Sequence, residues 1–185
     1  MTRSVNRLSA EDWERAALDA MATGGLAAVR VEPLAQQLGV TKGSFYAHFR
    51  DRAELVHAAL RRWEQAHVEA FEASLERAED PATQLRELMK MATAAARTRT
   101  IQGRLLLESN EPRVRAALQR VTEIRLRRLE RIFNELGHSP QAAARRATVA
   151  YSIYIGLLQL AREVPARLTD EDALVAELLR ILDEG

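Results

Sequence analysis

The sequence predicts an all-α fold of about nine helices. Across the 185 residues, apolar side chains recur at three- and four-residue spacings almost throughout, as one-sided helices require. Aromatic and β-branched residues nowhere settle into the period-two alternation of a half-buried strand. Capping residues, glycines and prolines cut the pattern into segments. They predict a small three-helix unit over 1–50 and a larger helical unit over 51–185, joined by a helix that starts near residue 51.

Ser9 opens the first helix with Asp12 as its capping-box partner. Trp13, Ala16, Ala17, Ala20 and Met21 form a narrow stripe, and Gly24-Gly25 stops the helix. Pro33 falls in the first turn of a short second helix, where backbone amides lack intrahelical partners. Leu34, Ala35 and Leu38 face inward there until Gly39 ends it. Thr41 is expected to cap a third helix running through Phe49. Asp51 and Glu54 read as a second capping box, opening a long fourth helix with Leu55, Val56, Ala59, Leu60, Trp63, His67, Ala70, Phe71 and Leu75 on one side.

Asp80-Pro81 sets a cap before a proline at the first helical position, starting a fifth helix expected to reach about residue 98. A short sixth helix is expected over 101–110. Pro112 opens the seventh, striped by Val114, Leu118, Val121, Leu129, Ile132 and Leu136 and ended by Gly137. Ser139-Pro140 starts the eighth, which is apolar nearly all round from Ala147 to Leu160 and is therefore expected to be buried on more than one side. Thr169 with Asp172 is expected to cap the ninth, ending near Leu182.

Composition narrows the function classes. A hydrophobic fraction of 47% is ample for a core, and the absence of Cys removes disulfides, thiolate zinc sites and cysteine nucleophiles. The first ten residues carry no signal-peptide-like run, and no apolar stretch is long enough to span a bilayer; a cytoplasmic protein is expected. Ser109 and Ser152 have no nucleophile elbow or nearby base, and no glycine-rich phosphate loop occurs, so no enzyme is expected. Glu54 with His57 and Glu64 with His67 have metal-like spacing. The pairs lie ten residues apart on one helix, roughly 15 Å at 1.5 Å per residue, and cannot share an ion. Gly137 breaks the helix between Glu135 and His138. Neither metal nor cofactor is expected.

The informative stretch runs from Leu34 to Phe49. A short helix, a glycine turn and a second short helix make a helix-turn-helix, which places its second helix in a major groove. Gly39 permits the turn, and Val40 fills the angle. Leu34, Leu38, Val40, Phe45 and Phe49 form a small core, leaving Thr41, Lys42, Ser44, Tyr46 and His48 outward. Hydroxyls, an ammonium and a phenol suit phosphates and base acceptors. Gly43 adds no side chain and allows close approach. Arg52, at the start of the fourth helix, can join the helix dipole in gripping a phosphate. Although the whole chain carries a net charge of only +1, Val40 to Arg52 holds three Lys/Arg against one Asp.

Over about residues 9 to 60, the run Gly-Val-Thr-Lys-Gly-Ser-Phe-Tyr-x-His-Phe resembles the TetR family of bacterial transcriptional regulators. The resemblance implies three N-terminal DNA-binding helices, a linking fourth helix and a diverged ligand-binding and dimerisation region. Carried over by position, it makes Thr41, Tyr46 and His48 phosphate contacts, Lys42, Gly43 and Ser44 groove-facing residues, and Arg52 a basic phosphate anchor. Two departures stand out. Val29-Arg30 replaces the Ser or Thr that commonly caps the second helix, leaving Arg30 as the phosphate contact there. Ala47 occupies a position where an aromatic or polar residue is common.

The same resemblance implies a small effector. Trp63, His67, Phe71, Met89, Thr93, Ser109, Asn110, Tyr151 and Tyr154 mix bulky apolar groups with a few hydrogen-bonding ones, as pocket linings do. Few charges interrupt these faces, so a mostly apolar ligand is expected. Ile153, Leu157, Leu160, Leu174, Leu178 and Ile181 offer more apolar surface than one chain buries, and in the family the corresponding helices form a four-helix dimer interface. The expected protein is a ligand-responsive repressor, binding a near-palindromic operator as a homodimer. The alternative is a helical ligand-binding or scaffold protein whose helix-turn-helix has lost its DNA affinity.

Overall fold

The computed structural model describes residues 8–97 and 100–184, and the described residues contain helices and turns only. In chain order the helices are α1 (Ala10–Gly24), α2 (Val31–Gln37), α3 (Lys42–Tyr46), α4 (Arg52–Leu75), α5 (Pro81–Arg97), α6 (Ile101–Leu106), α7 (Pro112–Glu135), α8 (Pro140–Glu163) and α9 (Glu171–Glu184). Short 3-10 turns cover Leu26–Ala28 and Pro165–Arg167. The all-α expectation holds.

Local capping explains most boundaries. Ser9 and Asp12 form the reciprocal capping box of α1, and Gly25, at φ 69°, ends it. Ser139 caps α8 ahead of Pro140, and Asp80 accepts the Thr83 amide ahead of Pro81.

Other boundaries differ from expectation. Thr41 sits at the N-terminal cap of α3, but its side chain makes no capping hydrogen bond, and α3 ends at Tyr46 rather than Phe49. Asp51 accepts the Glu54 amide at 2.8 Å, while the Glu54 carboxylate takes the Arg50 amide instead of closing the box. Asp170, not Thr169, accepts the Ala173 amide of α9. α6 stops at Leu106, four residues early, and the expected end of α5 at residue 98 lies outside the described residues.

The core has two contiguous parts. The first joins Trp13, Met21, Val29, Leu34, Phe45 and Phe49 to Leu55, Leu60 and Trp63 of α4, Leu105 of α6, and Val114, Leu118 and Val121 of α7. Packing therefore crosses residue 50 without a break. The second joins Phe71 and Leu75 of α4 to α5, the C-terminal half of α7, α8 and α9. α4 and α7 thread both parts. Arg120 and Glu64 tie them by two hydrogen bonds, at 2.7 and 2.9 Å.

Ala70 and Leu136, expected inward, are exposed; Leu136 is the cap just beyond the last turn of α7. Within one chain, α8 is buried on one side only: Val149 and Leu160 are 47% and 42% exposed.

Candidate nucleic-acid interface and effector cavity

α3 has only five residues, too short to persist alone, and is held by its inward ring. Phe45 is fully buried, edge-on to Trp13 at 5.4 Å and stacked with Phe49 at 5.7 Å. Leu38 and Val40 are partly buried against the same cluster. This anchoring turns Thr41, Lys42, Gly43 and Tyr46 outward, with Tyr46 57% exposed, while Ser44 and His48 are half-buried. A Cβ at Gly43 would meet only Thr41 Oγ1, at 3.6 Å, so the fold itself does not demand glycine there.

An open groove of about 570 Å³ brings together Arg30, Lys42, Tyr46 and Arg52, four of the eight residues expected to touch DNA. Thr41, Gly43, Ser44 and His48 do not line it. Arg50 and Gln36 do, and neither stood among the expected contacts. Three of these cations already have partners, Arg50 through Glu54 at 3.2 Å. Lys42 Nζ donates to Glu32 Oε1 at 2.8 Å; the bond holds the Lys42 pKa above, and the Glu32 pKa below, the ordinary value. Arg52 Nε donates to the Val29 carbonyl at 2.5 Å, and Nη2 donates to the Leu26 carbonyl, pinning the turn before α2. Arg52 is thus a brace for that turn, a role its place at a helix N-terminus did not reveal. Arg30 stands at the N-terminal cap of α2 without a side-chain capping bond, as the missing Ser or Thr implied.

In the larger part of the molecule, α4, α5, α7 and α8 enclose a cavity of about 120 Å³. Five of the nine expected pocket residues line it: His67, Phe71, Met89, Tyr151 and Tyr154. Trp63 sits behind His67, ring centroids 5.0 Å apart, within the first core part. Thr93 is buried but does not line it; its hydroxyl lies within hydrogen-bond distance of the Lys90 and Met89 carbonyls and of Glu171. Ser109 and Asn110 lie in the turn between α6 and α7, where their carbonyls accept from Arg115, and are no part of the cavity.

Sequence reasoning missed the polar centre. Gln102 of α6 is fully buried, and its Oε1 meets Arg125 Nη1 at 3.0 Å, the Tyr154 hydroxyl at 2.9 Å and His67 Nε2 at 2.8 Å. Tyr151 bridges outward to Thr122 at 2.8 Å. Arg125 is 8% exposed and lies over the rings of Phe71 and Tyr154, 5.5 and 5.0 Å from their centroids. Arg125 is the one arginine in a lining that is otherwise mainly apolar. Burial, seconded by the nearby Arg125 charge, lowers the His67 pKa to about 4, although the Gln102 bond acts the other way. Burial raises the Tyr154 pKa.

α6 also connects cavity to head. Gln102 belongs to the polar centre and Leu105 to the first core part. One turn beyond, Glu108 Oε2 accepts the Leu26 amide at 2.9 Å. Gly25 makes room for this contact: at φ 69° it packs so closely that a Cβ would fall 1.9 Å from Glu108 Oε1.

Of the six residues expected at a dimer interface, Leu157 and Leu178 are buried in the chain's own second core part. They belong to the packing in which α5 lies against both α8 and α9 within one chain. Leu160 and Ile181 remain exposed, and Ile153 and Leu174 are half-buried. Among the described residues, no cluster of three or more His, Cys, Asp or Glu could hold a metal ion, and no helix is long and apolar enough to cross a membrane.

Residues 15–59 match the family model described as bacterial regulatory proteins, tetR family. No curated protein matches the sequence. Solved structures share the fold. A transcriptional regulator from Rhodococcus sp. Rha1 superposes with a TM-score of 0.71 at 23% identity, covering 95% of this chain and 94% of its own. The transcriptional regulator FadR from Bacillus subtilis, solved in complex with stearoyl-CoA, gives 0.70 at 16% identity, covering 94% and 97%. A regulator from Saccharomonospora viridis, solved with choline, gives 0.74 at 20% identity, covering 94% and 95%.

Proposed function

We propose, for a chain whose residues 15–59 belong to the tetR family of bacterial regulatory proteins, that it is a dimeric operator-binding repressor released by a small effector held in the α4–α8 cavity. The observation that carries this reading is the outward face of α3, where Thr41, Lys42, Gly43 and Tyr46 stand exposed on a helix pinned from behind by Phe45. Exposed Val149 and Leu160 on α8 and Ile181 on α9 are the apolar surface that a second copy covers. Two-fold pairing then sets two reading helices about 34 Å apart on a near-palindromic site.

The effector acts by preferring one arrangement of the head over the other. Two routes support this: α4, which runs through both core parts, and α6, whose Gln102 bonds the cavity-lining His67, Arg125 and Tyr154 from behind and whose following turn grips Leu26 through Glu108. Structures of this fold were solved with stearoyl-CoA and with choline, ligands of unlike charge, so lining residues rather than fold set the ligand class.

Fluorescence anisotropy on DNA from upstream of the protein's own gene, against scrambled DNA and over a salt series, tests the reading. Specific binding with a steep salt slope is expected. Tyr46→Phe, which removes one phosphate hydrogen bond, weakens it roughly threefold to tenfold for all sequences. Gly43→Ala weakens it on the order of tenfold by preventing close approach, with no loss of thermal stability because the fold has room for the methyl group. Equally weak binding of both DNAs, unchanged by either substitution, refutes the reading.

Glu32→Gln works in the opposite direction. It frees Lys42 and removes a carboxylate that would face phosphate. Tighter binding is expected, with a salt slope steeper by about 0.9 if Lys42 gains one phosphate contact. Unchanged affinity and slope would place Lys42 away from the DNA.

A further inference from the structure

Arg125 is buried beside an apolar cavity without a countercharge. Among the described residues no carboxylate comes within ion-pair distance of its guanidinium, whereas Arg128, one turn further along α7, has Glu72 at 3.8 Å. The Arg125 Nε is buried with no hydrogen-bond partner. Beside the Tyr154 hydroxyl oxygen, its acceptor is Gln102 Oε1, which is neutral. It is approached by Arg125 Nη1, the Tyr154 hydroxyl and His67 Nε2 together, although an amide oxygen offers two lone pairs. Donors are in surplus at this spot and negative charge is missing. Burying a charge is costly unless it is paired and hydrogen-bonded, so a site of this kind gains when a ligand brings the anion.

From this imbalance we infer that the effector is a compact monocarboxylate, its anionic group held by Arg125 with Tyr154 and its apolar remainder lying against Phe71, Met89 and Leu129. This rests on the effector cavity proposed above. Three features select the class. A guanidinium fork matches a carboxylate in a bidentate pair. A single buried cation balances one negative charge, whereas a phosphate group would bring nearly two. The cavity, about 120 Å³, is well below the range of roughly 300–1,000 Å³ typical of drug-sized ligands, and its remaining walls are mainly Leu, Met and Ala.

The test uses the full-length protein and matched pairs of probes: butanoate, hexanoate, octanoate and phenylacetate, each against its primary amide, which has the same shape without the charge. Isothermal titration and thermal shift are read on the wild type, Arg125→Met and Arg125→Lys. At least one acid is expected to bind about tenfold or more tightly than its amide. Arg125→Met should erase that preference and melt no lower than the wild type in the absence of ligand, since it removes an uncompensated charge, and Arg125→Lys should restore part of the preference.

An amide that binds as well as its acid, or an acid preference that survives Arg125→Met, overturns the assignment. So does the absence of acid-selective binding across the panel. If Arg125→Met fails to fold, the wild-type acid and amide comparison still decides. The DNA measurement is independent of these outcomes. Acid selectivity failing while operator binding persists removes the carboxylate alone, and amides that bind and release DNA would keep the effector cavity with a neutral ligand.

Discussion

Phe45→Ala is expected to lower stability by about 3–5 kcal/mol and to abolish specific DNA binding. Phe45 is fully buried and its ring packs on Trp13 and Phe49, so truncation opens a cavity between α1, α3 and the turn before α4. α3 cannot compensate, because a helix of five residues has no stability of its own. For a chain of this length the loss corresponds to a fall in melting temperature of about 10 °C. The shared core makes a further point testable: Trp13 lies in the same contiguous cluster as Trp63 of α4, so the head should not melt separately. Both tryptophans are buried in the first core part, so their fluorescence follows the head and its junction with α4, while far-UV circular dichroism follows all the helices. One cooperative transition at lower temperature is expected. A variant melting with the wild type, or a head that melts first while the remainder holds, would show that Phe45 is not the keystone of a continuous core. Tyr46→Phe is the control, since that ring is already largely exposed and its loss of a hydroxyl should leave melting unchanged.

What the sequence disclosed and what it concealed follow from the range of the forces involved. Caps and turns are local, so Ser9 with Asp12, Gly25, Gly39 and the prolines opening α5, α7 and α8 could be read directly. The end of α3 could not: no glycine marks it, and nothing nearby distinguishes Tyr46 from Phe49 as the last helical residue. Thr169 and Asp170 are adjacent capping candidates, and only the geometry of the chain entering α9 chooses between them.

Side-chain direction on an apolar helix is a tertiary matter. α8 is apolar nearly all round, so periodicity could not tell that Leu157 meets the chain's own core while Leu160 faces out. The residue that most changes the reading of the cavity did leave a trace. Arg125 falls on the stripe Val114, Leu118, Val121, Leu129, Ile132 at the place where an apolar residue was due. Its neighbours Glu123, Arg127 and Arg128 are charged too, which masks that register in the sequence. An arginine in register with a buried stripe is the pattern that would have found it. Gln102 had no comparable signal, being one polar residue on a helix of six.

His67 should make stability depend on pH between about 6.5 and 4. Burial first, and the Arg125 charge second, hold its folded-state pKa down to about 4 from the ordinary 6.5, against the opposing bond to Gln102. Above pH 6.5 the imidazole is neutral whether the chain is folded or not, and this stability is fully present. As pH falls below 6.5 the unfolded chain takes up a proton that the folded one refuses, and stability declines until the folded pKa is passed. The total loss is about 3 kcal/mol, with about 2 kcal/mol gone by pH 5. The groups facing His67 are Trp63 from its own helix, Arg125 from α7, Gln102 from α6 and the phenols of Tyr151 and Tyr154 from α8. Denaturant unfolding of the wild type and His67→Gln, compared between pH 7 and pH 4.5, isolates the effect from that of the surface carboxylates common to both. A smaller pH-dependent loss in the variant is expected; equal losses would mean that His67 titrates as it does in the unfolded chain.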